Sequence, residues 1–187
     1  MKPSDGANPY AAPSAPVEDR MAATQVEPPF FSVSIAKLGV MTVATFGIFL
    51  YLWFYKNWKS VQRFSTDRPN APLRSLFFPL MAYSLFRRIR MRSAELGVPA
   101  PFSAGWLALA LFVMAMLAGL PDPLWIAALL QFVPLIPVQQ AVNVLNAKIA
   151  PETSLNSRFS IWNVVAIALG GSLVVLSIVG IAMTNKR

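Results

Sequence analysis

SIAKLGVMTVATFGIFLYLWFY, residues 34–55, is the stretch on which the fold turns. Its twenty-two residues hold one charge, Lys37. As a helix it would run about 33 Å, enough for the hydrocarbon layer of a bilayer. Residues 102–120, 124–138 and 161–183 repeat the pattern and carry no charged side chain. Between the first and second stretches lies 56–102, where Lys56, Lys59, Arg63, Arg68, Arg74, Arg87, Arg88, Arg90 and Arg92 face only Asp67 and Glu95. Long apolar runs around one basic loop are the pattern of an all-α polytopic membrane protein with that loop in the cytosol.

Composition agrees. The 187 residues are 56% hydrophobic and 13% charged, with a mean hydropathy of +0.53. A soluble domain of this size carries about 25% charge. The net charge of +8 could mark a nucleic-acid surface. Because the cluster abuts an apolar run, cytosolic retention and contact with anionic headgroups account for it more simply. The bilayer and anionic lipid are therefore the expected partners, and nucleic acid is not.

Residues 1–30 are punctuated by Pro3, Pro9, Pro13, Pro16, Pro28 and Pro29 and show no apolar periodicity. They read as a disordered tail. In residues 34–55, Gly47 follows Thr45 and Phe46, and an aromatic run from Phe49 to Trp58 reads as an interfacial belt. Residues 73–96 read as one helix that ends at Gly97, with Pro79 as a kink or as its true start. Its apolar body is too short to cross. Arg87, Arg88, Arg90 and Arg92 follow at once, so it is expected to lie in the interface and bind anionic lipid.

Residues 102–120 and 124–146 read as a helical hairpin about the turn Pro121-Asp122-Pro123, with Pro134 and Pro137 bending the second arm. Gln139, Asn143 and Asn146 share one polar face, which reads first as the wet cytosolic end of a helix and second as a cavity lining or a set of hydrogen bonds across helices. Residues 161–184 form the cleanest span, with Ser160 as N-cap. There Ala166, Gly170 and Ser177 make a small-residue seam for a neighbouring helix or a second subunit.

Catalytic chemistry finds little to use. The chain has no histidine and no cysteine, which removes Ser-His and Cys-His nucleophiles and thiolate metal sites. No H-E-x-x-H helix occurs, and Asp122 is the only acid within the apolar region. A Ser-Lys pair would need Lys37 with Ser34 or Ser32, but Lys37 reads as a snorkelling side chain near a helix end. No catalytic, cofactor or metal residue is assigned.

The strings TFGIFLYLWFYKNW (45–58), LRSLFFPLMAYSLFRRI (73–89), PDPLW (121–125) and NSRFSIWN (156–163) resemble a family of small uncharacterised bacterial inner-membrane proteins, a domain of unknown function. Its members carry a Thr-x-Gly turn followed by Trp-x-Tyr-x-x-Trp. Phe49 and Leu52 stand where the family has tyrosines. The resemblance implies a bacterial inner-membrane location and brings no activity.

The expected architecture is four spans, at about 34–55, 102–120, 124–146 and 161–184, with an interfacial helix at 73–96. Residues 31–187 form one membrane domain whose two ends are periplasmic. A second topology breaks the first run at Gly47 into a re-entrant or interfacial pair, leaving three spans and a cytosolic N-terminus. The functional expectation is a non-enzymatic scaffold or accessory subunit, with a homo-oligomer or a membrane-protein partner. A small-solute or lipid-handling transporter ranks second and a membrane enzyme last.

Overall fold

The computed structural model describes residues 27–184. The reading of residues 1–26 as a tail lies outside them, while residues 27–30 of that expected tail are ordered and Phe30 is core. Among the described residues the fold is all-helical. Residues 34–55 are not one helix. They divide into α1 (Ile35–Ala44) and the start of α2 (Ile48–Phe64). Phe46 and Gly47 both have positive φ, at 49° and 84°, and no α-helix continues through such a pair. Thr45 joins the two ends: its Oγ1 donates to the Met41 carbonyl at 2.7 Å and accepts from the Phe49 N–H at 2.9 Å. The φ of +84° at Gly47 is one that favours glycine, and a Cβ there would also displace the Gln131 amide.

α1 is about 15 Å long, half the hydrocarbon thickness. α2 then returns toward the side where α1 began. Its Lys56 lies over the Phe31 ring, and Arg63 pairs with Glu27 at 3.1 Å. The first apolar run is therefore not one span but a helix–turn–helix broken at Gly47, with both ends on one side of the molecule.

Most of the aromatic run is core rather than belt, with Tyr51 left exposed. Trp53, Phe54 and Trp58 are fully buried, because α2 lies under α3 (Ala71–Leu76) and α4 (Phe78–Glu95). The Phe54 ring sits 5.0 Å from Phe78 and 6.2 Å from Phe86. The expected single helix at 73–96 breaks at Phe77, and Pro79 stands in the first turn of α4, where a missing N–H costs nothing. α4 buries Ala82, Leu85, Phe86, Ile89 and Ser93 against the protein, so only its opposite face is available to an interface.

α5 (Ala104–Leu117) is shorter than expected, at about 21 Å. The second arm of its hairpin is not one α-helix. It winds as 3-10 helix over Leu124–Leu130 and Val133–Leu135 before α6 (Ile136–Ile149). Pro134 lacks an N–H and crowds the Leu130 carbonyl, so no α-ladder joins the two 3-10 stretches, and Pro137 stands in the first turn of α6, where no N–H is needed. Lys148 Nζ donates to the Gly97 carbonyl at 3.1 Å, which sets the end of α6 level with the loop that leads into α5.

α7 (Ile161–Thr184) runs as expected for 24 residues, about 36 Å. It is parallel to α1. Lys37 meets Arg158 and Asn163 at its start, and Ala44 meets Gly170 near its middle. Residues 171–184 therefore extend beyond the α1–α2 turn. Two helical stretches are long and apolar enough to cross a membrane, Leu124–Ile149 and Ile161–Thr184, at mean hydropathy 1.5 and 2.6. The first is 44% buried over its most apolar window and the second only 6%. α1 and α5 do not reach that length.

Gly170 touches the Ala44 carbonyl so closely that no side chain fits between. Gly170→Leu should cost about 1–3 kcal/mol of stability, and Gly47→Ala a similar amount through strain and collision. Val175→Leu, on an exposed position, should be nearly neutral. Thermal unfolding in detergent checks this, and equal tolerance of Gly170→Leu and Val175→Leu would contradict the packing.

Candidate functional site

Residues 27–34 enter the helical core as neither helix nor strand, bent at Pro29 and Phe30, with no strand beside them among the described residues. Phe30 and Val33 are buried, and buried backbone groups need partners. Side-chain amides supply them. Asn146 pairs twice with Phe30, accepting from its N–H at 3.2 Å and donating to its carbonyl at 2.8 Å. The Phe31 N–H donates to Asn57 Oδ1 at 3.2 Å, and Gln139 Nε2 donates to the Phe31 carbonyl at 3.2 Å. Asn143 donates to the Val33 carbonyl at 3.0 Å and accepts from Gln139 at 2.8 Å. The Trp53 indole closes the set on Gln139 Oε1.

This corrects the reading of Gln139, Asn143 and Asn146 as a wet helix end. Gln139 and Asn146 are buried, and the face is a clamp on the chain's own extended segment. The clamp has no acid, base or nucleophile. Its chemistry is backbone recognition.

Lys37 also departs from expectation. It does not snorkel: it is 4% exposed, and its Nζ donates to Asn156 Oδ1 and to the Arg158 carbonyl, both at 2.7 Å. Asn163, with its amide oxygen turned inward, lies 3.1 Å away, and the Phe159 ring flanks the ammonium at 5.6 Å. The ammonium thus ties the start of α1 to the loop before α7. Ser34 Oγ accepts from the Lys37 backbone N–H as an N-cap, and the Lys37 amine reaches elsewhere, so no Ser-Lys pair forms there.

The four arginines of α4 divide. Arg88 grips Asp67 at 2.6 and 3.3 Å and Ser65 at 2.6 Å. Arg92 pairs with Glu95 at 3.0 Å and lies 4.9 Å from the Phe64 ring centre. Arg87 and Arg90 face outward, on the same exposed side as Leu80, Tyr83 and Met91. Leu73, Leu76 and Phe77 continue that apolar strip. Only two of the four arginines are presented outward for headgroups.

On α7, Ala166 packs on the core and Gly170 on Ala44, whereas Ser177 returns its hydroxyl to its own helix at the Leu173 carbonyl, 2.9 Å away. Flanking this side, Trp162, Leu169, Leu173 and Leu176 are exposed. An open, almost wholly apolar groove of about 640 Å³ runs along Ile35, Gly39 and Val43 of α1, walled by Phe132 and by Gly171 and Val174 of α7. The extended clamp was missed in the sequence because residues 28–30 sit at the end of a proline-rich stretch. The apolar group Phe30, Phe31 and Val33, just after Pro29, was the available signal.

The chain matches no protein-family model, no curated protein and no solved structure.

Asn146→Leu keeps the volume and strands both polar groups of Phe30, so it should cost about 2–4 kcal/mol, while Asn143→Ala, only partly buried, should cost less. Chemical unfolding in detergent measures both, and an unaltered midpoint for Asn146→Leu would refute the clamp. A second test concerns Asp67, whose carboxyl is held down from 3.8 to about 2 by the Arg88 and then the Ser65 hydrogen bonds. A lowered carboxyl stabilises above its ordinary value and loses that contribution as pH falls through the lowered one. The Arg88–Asp67 tie should therefore persist at pH 4 and release toward pH 2, visible as the Asp67 side-chain NMR titration. A midpoint near 4 would contradict it.

Proposed function

We propose that this protein is a non-enzymatic scaffold or accessory subunit of a bacterial inner membrane, anchored by α7 and seated on the cytosolic leaflet by its basic side. The observation that carries the reading is α7 itself: 24 residues at mean hydropathy 2.6, 6% buried over that window, packed on the protein along one narrow small-residue side. So much exposed apolar surface is costly in water and natural in lipid. α1 and the returning α2 form a re-entrant pair, and the turn at 45–47 is internally hydrogen-bonded, as broken helices within a bilayer require. Arg87 and Arg90, beyond the apolar strip of α3 and α4, suit the anionic headgroup layer. The bacterial inner-membrane location rests on the family resemblance of residues 45–58, 73–89, 121–125 and 156–163. The accessory role rests on the lack of histidine and cysteine and on the lone turn acid, Asp122. A lipid-handling role is the second reading, favoured by the apolar groove along α1.

The chain has no cysteine, so single cysteines report topology cleanly. Glu27→Cys and Thr66→Cys should both be shielded from an impermeant thiol reagent in intact spheroplasts, and Thr184→Cys should be labelled. Labelling of Glu27→Cys with Thr66→Cys shielded would restore a full first span and sink the re-entrant pair. A photo-crosslinker at Leu169 or Leu176, used in native membranes, should yield a discrete protein adduct. Lipid adducts alone would favour the second reading.

A further inference from the structure

Lys56, Lys59, Ser60 and Arg63 follow the i, i+3, i+4, i+7 spacing of α2 and share one face. They line a cavity of about 450 Å³ that lies apart from the α4 strip. Its floor is the clamped segment at Phe30 and Phe31, and its far wall is the loop at Thr153, Ser154 and Asn156. Ser32, Tyr55, Thr153 and Ser154 also line this space, as does Glu27, while the Ser60 hydroxyl donates to the Lys56 carbonyl at 3.2 Å.

Three cations on one helix face repel one another. Glu27 offsets Arg63 at 3.1 Å. Lys56 and Lys59 have no carboxylate partner among the described residues, and each ammonium lies near an aromatic ring instead, Phe31 at 5.7 Å and Tyr55 at 5.9 Å. Two unneutralised ammonium groups, a guanidinium and several hydroxyl donors around a space of ligand size recognise a compact oxyanion. Lysine suits a phosphoryl group as a point charge, and arginine adds directed N–H donors.

We propose that this cavity binds a phosphoryl group, carried by a lipid headgroup or by a soluble phosphate. Lys56 and Lys59 supply the charge that no carboxylate among the described residues neutralises, Arg63 completes the cradle, and Thr153 and Ser154 line its far wall. The binding also couples three parts of the chain, because the cavity is built from the clamped segment, α2 and the loop that Lys37 fastens through Asn156.

The test uses the intact protein in neutral detergent and in nanodiscs, at constant ionic strength so that screening does not mimic binding. In detergent, inorganic phosphate and glycerol 3-phosphate are titrated against thermal unfolding. In nanodiscs, phosphatidate is titrated into phosphatidylcholine. Saturable stabilisation by the soluble phosphates supports the site and identifies a free phosphate as its ligand class. Stabilisation by phosphatidate alone supports it with a lipid headgroup as the source. In either arm the double change Lys56→Gln, Lys59→Gln should weaken binding on the order of tenfold or more. Lys56→Arg, Lys59→Arg should retain it, which separates lost charge from lost folding. Arg87→Gln on α4 should leave it unaltered. No saturable effect in either arm, or an effect that survives the double glutamine change, would overturn the proposal. The topology read from cysteine labelling is independent of that outcome.

Discussion

Everything in this fold depends on hydrogen-bonding an extended backbone inside a helical core. Phe30 and Val33 are buried among α2, α4 and α6, where no strand can pair with them. An unpaired buried amide costs about as much as several good packing contacts return. Asn57, Gln139, Asn143 and Asn146 remove that cost by offering amide groups where a neighbouring strand would have offered peptide groups. The clamp fixes where the chain enters α1. Lys37 fixes the same end of α1 to the loop before α7.

With its start held twice, α1 has one way to go and stops after ten residues. Thr45 and Gly47 turn the chain in a few residues, and α2 comes back along the clamped segment. The result is an asymmetric molecule. One side gathers Glu27, Lys56, Lys59, Arg63, the 65–70 loop, Lys148 and the 150–160 loop, tied together by short polar contacts. From that side α7 runs on past the turn, with little protein around its second half. A compact polar-faced body with one long apolar helix is what an anchored membrane subunit needs, and the same body carries the basic cavity on α2.

Much of this was legible in the residues. The all-helical class followed from the apolar runs, and α7 was legible because Ser160 caps its start and it has no internal proline and uniform apolarity. Gly47 was recognised as the weak point of residues 34–55, but only the structure shows the break, where Phe46 takes a positive φ and its ring stacks on Trp125, far away in sequence. Pro134 and Pro137 read as bends in one helix; Pro134 does mark the break before α6, but the 3-10 winding of Leu124–Leu130 lies before both prolines and had no signal in them. The seam residue Gly170 was named, though not its partner Ala44. The polar face of α6 was identified as a face and assigned to water, because its partner, residues 30–33, looked like tail. Periodicity detects helices and is blind to a single extended segment that borrows its hydrogen bonds from side chains. The arginine cluster of α4 was read as one unit. Neighbouring acids and aromatics, invisible to composition, divide it into an inward and an outward pair.

The central claim is that the segment before α1 is a fixed part of the core, held through its backbone by amide side chains. Native-state hydrogen exchange at the Phe30 and Phe31 amides measures this directly. The account predicts that both amides exchange as slowly as core amides of α2 such as Phe54 and Trp58, and that Asn146→Leu releases Phe30 first. Exchange of Phe30 and Phe31 at the rate of an unstructured chain would contradict it.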